Sequence, residues 1–156
     1  MDLGSKTRKT APFMDLALEE ARAAAALGEV PVGAVLAQGD RVIARAGNRM
    51  RTLADPTAHA EMLALRAATA AIGSERLVGA SLYVTLEPCA MCAGAISLAR
   101  VGRLYFGAED PKGGAVEHGP RIFAQPTCHH RPEVYSGFAA TESAALLREF
   151  FEARRS

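Results

Sequence analysis

The feature that most constrains this chain is a pair of short apolar runs, Val32 to Ala37 and Arg41 to Ala46, on either side of Gln38-Gly39-Asp40. That pattern predicts a β-hairpin, with Gly47-Asn48 ending its second strand. Beyond it, the runs Ser81-Leu82-Tyr83-Val84-Thr85 and Arg103-Leu104-Tyr105-Phe106 suit buried strands, and they alternate with helix-forming stretches over 59–71 and 90–99. A hairpin followed by alternating strands and helices predicts the α/β class. The expected architecture is a three-layer α/β/α sandwich around a mixed sheet of about five strands. An alanine-rich helix over 13–27 with Gly28 as its stop precedes the hairpin, and a cap near Thr57 starts the second helix. After Gly107 the chain loosens into a long irregular stretch through Pro111, Pro120, Pro126 and Pro132. Val134-Tyr135 then predicts a short strand, and residues 139–154 an amphipathic helix carrying Leu146, Leu147, Phe150 and Phe151.

At 156 residues and 49% hydrophobic content, the chain has enough apolar mass for one core without disulfides. A single domain over 12–156 is expected, preceded by a basic, flexible, solvated tail over 1–11. Eighteen Lys and Arg against seventeen Asp and Glu leave a net charge of +1, so charge alone does not point to nucleic acid. No run approaches the roughly 18 apolar residues that span a bilayer, and the N-terminus lacks the apolar centre of a secretory signal. A soluble, cytoplasmic protein is expected, with no membrane partner. Its three cysteines are then reduced thiols or metal ligands, not a disulfide framework.

Pro88-Cys89-Ala90-Met91-Cys92 puts two thiols three residues apart at the start of a predicted helix. Unpaired N–H groups and the helix dipole favour thiolate there, the form that binds metal, and Pro88 suits the entry. Alone, the pair reads as a redox dithiol, half of a structural zinc site, or two buried cysteines. His59-Ala60-Glu61 upstream shifts that reading. A redox pair has no use for the histidine and glutamate, and a structural zinc site lacks an obvious fourth ligand at motif spacing, Cys128 with His129 or His130 being the available candidates. Three protein ligands, His59, Cys89 and Cys92, leave a zinc ion one position for water, as hydrolysis requires. Two thiolates cancel the charge of Zn2+, so its water is acidified less than in an all-histidine site and a nearby base is needed. Glu61 fits that role, taking a proton from water and delivering it to a ring nitrogen and to departing ammonia; its plain alternative is a structural ion pair. On a regular helix positions 59 and 61 diverge by about 200°. Both face one site only if His59 lies at the start of its helix.

His59-Ala60-Glu61 with Pro88-Cys89-Ala90-Met91-Cys92 resembles the signature of the cytidine deaminase superfamily. Flanking segments resemble its bacterial tRNA-specific adenosine deaminase branch: Glu29 to Ala34, Asn48, Leu82 to Glu87, Ala93-Gly94-Ala95, Phe106-Gly107-Ala108, Asp110, Lys112, His130-Arg131 and Leu146 to Arg155. The resemblance covers about residues 13–155. It implies a cytidine deaminase-like fold, one zinc ion per subunit held by His59, Cys89 and Cys92, and proton transfer by Glu61. The implied reaction converts the wobble adenosine of an arginine tRNA anticodon to inosine in a homodimer. Asn48 would hydrogen-bond the flipped nucleotide, and Val30 and Leu86 would wall its pocket. Asp110, Lys112, His130, Arg131, Phe150, Phe151, Arg154 and Arg155 would lie along the anticodon-loop groove, which suits recognition of extruded single-stranded bases. Phe150 and Phe151 also sit at core-like helical positions, which assigns at least one of them to packing. Two departures from the branch concern the loops: Val116-Glu117-His118-Gly119-Pro120 replaces a Gly-Ser-Leu-Met type, and His129 stands where asparagine often precedes His-Arg. Alternatives on the same motif are a deaminase of a free base or nucleoside, such as guanine or cytosine, and a non-catalytic zinc-stabilised RNA-binding module.

Overall fold

The computed structural model describes residues 3–155, with side chains over 13–154. A first helix, α1 (Leu3–Ala26), leads into the hairpin β1 (Gly33–Gln38) and β2 (Arg41–Gly47). Then follow α2 (Ala60–Ile72), β3 (Ser81–Leu86), α3 (Ala90–Leu98), β4 (Arg103–Ala108), a 3-10 turn at Ile122–Ala124, β5 (Glu133–Tyr135) and α4 (Ala140–Arg155). The backbone of α1 runs through residues that the sequence assigns to a tail. Residues 5–11 carry no apolar stripe to announce a helix, yet nothing among them breaks one. The tail expectation for Met1 and Asp2 lies outside the described residues.

The sheet order is β2-β1-β3-β4-β5. β1 is antiparallel to β2 and β3, whereas β3, β4 and β5 run parallel. The α3 segment makes the crossover that the parallel β3–β4 pair requires. Strand side chains alternate strictly between the two faces. Leu36, Leu82, Val84, Leu104 and Phe106 join Ala64, Leu65, Ala68 and Ile96 in the larger core beneath α2 and α3. Val35, Ala37 and Tyr83 face Met14 and Ala17 of α1. On that second face Tyr83, Tyr105 and Tyr135 stack across three strands at ring spacings of 4.5 and 5.0 Å. The two faces confirm the expected three-layer α/β/α arrangement around a mixed five-stranded sheet.

Helix α1 lies close on the hairpin because Gly33 has no side chain: a Cβ there would stand 1.9 Å from the Ala17 carbonyl oxygen. None of the described helices is long and apolar enough to cross a membrane.

Candidate metal centre and its surrounding loops

Two helix N-termini meet at the C-terminal end of β3. His59 is the N-cap of α2, with extended backbone at φ −71° and ψ 152°, and Cys89 is the N-cap of α3 at φ −74° and ψ 176°. The extended cap turns His59 out of helical register, so it shares a site with Glu61 in the first turn. Neither cap residue bonds its own helix through its side chain. For α2 that task falls to buried Asn48, whose Oδ1 accepts the Ala60 N–H at 2.7 Å. Thr57, the cap expected from sequence, instead receives Asp55 Oδ1 on its own N–H and hydroxyl.

Cys89 Sγ and Cys92 Sγ each lie 3.6 Å from His59 Nδ1. Sulfur and nitrogen ligands on a tetrahedral zinc, at about 2.3 and about 2.0 Å, stand about 3.5 Å apart. The three donor atoms, all within 4.8 Å of one another, therefore fit a zinc ion in both chemistry and separation. Among the described residues no other group of three metal-ligating side chains converges. Cys128 does not join as a fourth ligand: its Sγ faces the His130 carbonyl at 3.2 Å and Ser97 Oγ at 3.5 Å.

The hydrogen bond with Cys92 is the main influence drawing the Cys89 thiol down to about 4, and His59 helps against the opposing effect of burial. Cys92 is pushed far above the ordinary thiol range by Cys89 and then by burial. The hydrogen bond to Cys89 lifts the imidazole of His59. Glu61 is 4% exposed, and burial raises its carboxyl, with the Cys89 charge adding to the effect. Two thiols and an imidazole thus meet at paired helix N-termini, with the Glu61 carboxyl buried beside them.

Two buried carboxylates fasten the loops around this centre. Glu29 accepts the N–H groups of Arg51 and Thr52 and the Thr52 hydroxyl, pinning the loop between β2 and α2. Glu87, between β3 and Cys89, gathers the N–H groups of Asp110, Val116, Glu117 and His118 at 2.9–3.1 Å. Neither role was visible in sequence. The available signal was a charge in an apolar context, Leu86-Glu87-Pro88 and Gly28-Glu29-Val30.

The expected RNA-facing residues divide into two groups. Lys112 is exposed on a turn that Asp110 closes, its Oδ1 accepting the N–H groups of Lys112 and Gly113. Half-buried Val30 lines a cavity of about 250 Å³ with Met50, Arg51, Phe150, Phe151 and Arg154. Leu86 packs on the larger core. Phe150 is half-buried beneath the Arg154 guanidinium, 4.1 Å from its ring centre, whereas Phe151 is 45% exposed. Arg154 also donates to the Gly28 carbonyl at 2.7 Å, and the side chain of Arg155 lies outside the described residues. His130 and Arg131 stand apart, by the N-terminal end of β4. His130 Nε2 bonds the Val101 carbonyl at 2.7 Å, and Arg131 donates to the carbonyls of Phe123 and Gln125. His129 is exposed.

Residues 9–155 match the MafB19-like deaminase family. A tRNA-specific adenosine deaminase of Agrobacterium fabrum is 65% identical over 92% of this chain and 94% of its own length. Among solved structures, a chain from a study of A-to-I editing by tRNA:A34 deaminases at the wobble position of transfer RNA is 66% identical. It superposes at a TM-score of 0.85 over 86% of this chain and 98% of that one. The guanine deaminase from Nitrosomonas europaea is 27% identical with a TM-score of 0.71, over 88% of this chain and 82% of that one. The chain therefore belongs to the MafB19-like deaminase family and, within it, to the tRNA-specific adenosine deaminases.

Proposed function

We propose that this chain deaminates the wobble adenosine of an arginine tRNA anticodon to inosine by zinc-dependent hydrolysis, releasing ammonia. The observation that carries this reading is the convergence of His59, Cys89 and Cys92 on one point with Glu61 buried beside them, in a chain 66% identical to a tRNA:A34 deaminase.

His59, Cys89 and Cys92 would hold one zinc ion per subunit. Bound there, zinc supplies a Lewis acid that lowers the pKa of a water molecule. Glu61 would take one proton from the attacking water and deliver it to the purine ring nitrogen as oxygen bonds to the amino-bearing carbon. It would then carry the second proton from the new hydroxyl to the amine, which leaves as ammonia as the C–N bond breaks and the carbonyl of inosine forms. Burial keeps its carboxyl away from competing bulk water, so the proton passes between reacting atoms only. Asn48 has its Oδ1 committed to Ala60, which leaves the amide Nδ2 to donate to the extruded nucleotide. Val30 and Leu86 wall the pocket. Asp110, Lys112 and Phe151, followed by Arg154 and Arg155, border the path of the anticodon loop. His130 and Arg131 serve that path indirectly, by fixing the segment between β4 and β5.

The protein is proposed to work in the cytoplasm as a homodimer. Leu53, Val78 and Leu98, which are 48%, 71% and 77% exposed, supply apolar surface for a subunit contact.

The likeness to a guanine deaminase favours one competing reading, a free-base substrate. Zinc-loaded protein offered an anticodon stem-loop, guanine, cytosine and cytidine in parallel should convert adenosine to inosine only in the RNA. Ammonia from the small molecules alone would overturn the tRNA assignment. Chelation should abolish turnover, and added zinc should restore it.

A further inference from the structure

The loop from Asp110 to Pro120 is wrapped around one buried carboxylate. Glu87 Oε2 accepts three successive N–H groups, from Val116, Glu117 and His118, while Oε1 accepts the Asp110 N–H at 3.0 Å and His118 Nδ1 at 2.8 Å. The Glu87 side chain is fully enclosed. The wrap is tight: a Cβ on Gly114 would stand 2.5 Å from both the Glu87 carboxyl and the Asp110 carbonyl oxygen. The Ala115 N–H reaches the Pro88 carbonyl at 2.9 Å, which joins the loop to the residue just before Cys89.

The four backbone donors belong to the path of the chain, not to particular side chains. His118 adds a side-chain donor, and it stands in the stretch that departs from the usual Gly-Ser-Leu-Met type. We propose that His118 is a positioning residue: by donating from Nδ1 to Glu87 it holds the 110–118 loop against Pro88 and fixes where Asp110 and Lys112 meet the RNA. This rests on the tRNA reading above. The ligands and Glu61 are set by α2 and α3, so loosening the loop should weaken substrate binding and leave the chemical step alone.

The test compares zinc-loaded wild type with His118→Ala and with His118→Asn, whose amide nitrogen can donate from the place of Nδ1. Steady-state kinetics on an anticodon stem-loop are measured together with hydrogen exchange at the amides of residues 116–118. Loss of one partly exposed, charge-assisted hydrogen bond should raise KM roughly fivefold in His118→Ala, with kcat within about twofold. The three amides should exchange faster, and His118→Asn should restore both quantities. An unchanged KM, a loss confined to kcat, or no recovery with asparagine overturns the proposal. If wild type turns over no RNA, the tRNA reading fails on its own, and the exchange arm still decides the anchoring. Unchanged exchange in His118→Ala overturns it, and faster exchange rescued by asparagine supports it.

Discussion

Glu61 is buried in the first turn of a helix whose N-cap is a metal-ligand candidate. Replacing its carboxylate removes the proton carrier without touching a donor atom. We predict that Glu61→Ala keeps its zinc content and its unfolding midpoint and loses about 10²- to 10⁴-fold in kcat. Metal analysis, thermal unfolding and single-turnover kinetics check the three parts, and undiminished turnover would remove Glu61 from the mechanism. Spacing made much of this centre legible, because a histidine and a glutamate two apart can share a site only at a helix start. The anchoring of Glu87 and His118 was not legible, since its partners lie 23–31 residues away and no local pattern encodes them. That anchoring has a pH signature. The hydrogen bond to Glu87 raises the pKa of His118, with Glu109 adding and Arg121 opposing. Its contribution is complete below the ordinary imidazole value of 6.5 and fades as pH rises through the raised folded value. For Glu87, burial pushes the carboxyl upward, but the bonds from Asp110, His118, Glu117 and Val116 outweigh it and leave the pKa lowered. Its contribution is complete above 4.5 and fades as pH falls through the lowered folded value. Exchange at residues 116–118, corrected for intrinsic rates, should therefore be slowest between pH 4.5 and 6.5.

The helices and strands follow from apolar runs and stripes almost throughout. The hairpin, the β3-α3-β4 crossover and the last helix fall within a residue or two of their expected limits, because β1 and β3 are short apolar runs buried on both faces and the last helix carries an amphipathic stripe. Exceptions arise where no such stripe exists: the start of α1 and the 3-10 turn at Ile122–Ala124, which the Arg131 guanidinium fastens from a distance. The expectation that His130 and Arg131 face RNA came from residue type alone. Both side chains also bond backbone carbonyls within the chain, contacts that no local pattern encodes. Close approach of α1 to β1 makes a sharper prediction. Gly33→Ala would force a methyl group into the Ala17 carbonyl and the Ala21 amide, at 1.9 and 2.6 Å. It should cost about 3 kcal/mol or more, read as a lowered denaturant midpoint. A loss below about 1 kcal/mol would mean that the helix shifts freely on the sheet.

A net charge of +1 gives the whole molecule little general attraction for polyanions, so RNA binding must come from local placement. The C-terminal helix is proposed to supply part of that placement, its Phe150, Phe151 and Arg154 forming one wall of the 250 Å³ cavity. Assembly is the larger-scale prediction: sedimentation at micromolar concentration should give about twice the 16.4 kDa of one chain. A stable monomer that still edits RNA would show that one subunit suffices. The tyrosine stack on the α1 face bears on how all such measurements are read. The chain contains three tyrosines and no tryptophan, and the three tyrosines are the members of that stack. Its tyrosine fluorescence thus reports from a single patch, the β3-β4-β5 half of the sheet on the face away from His59, Cys89 and Cys92. Loss of metal or loosening of the 110–118 loop should leave that signal nearly silent, while separation of the parallel strands should change it at once.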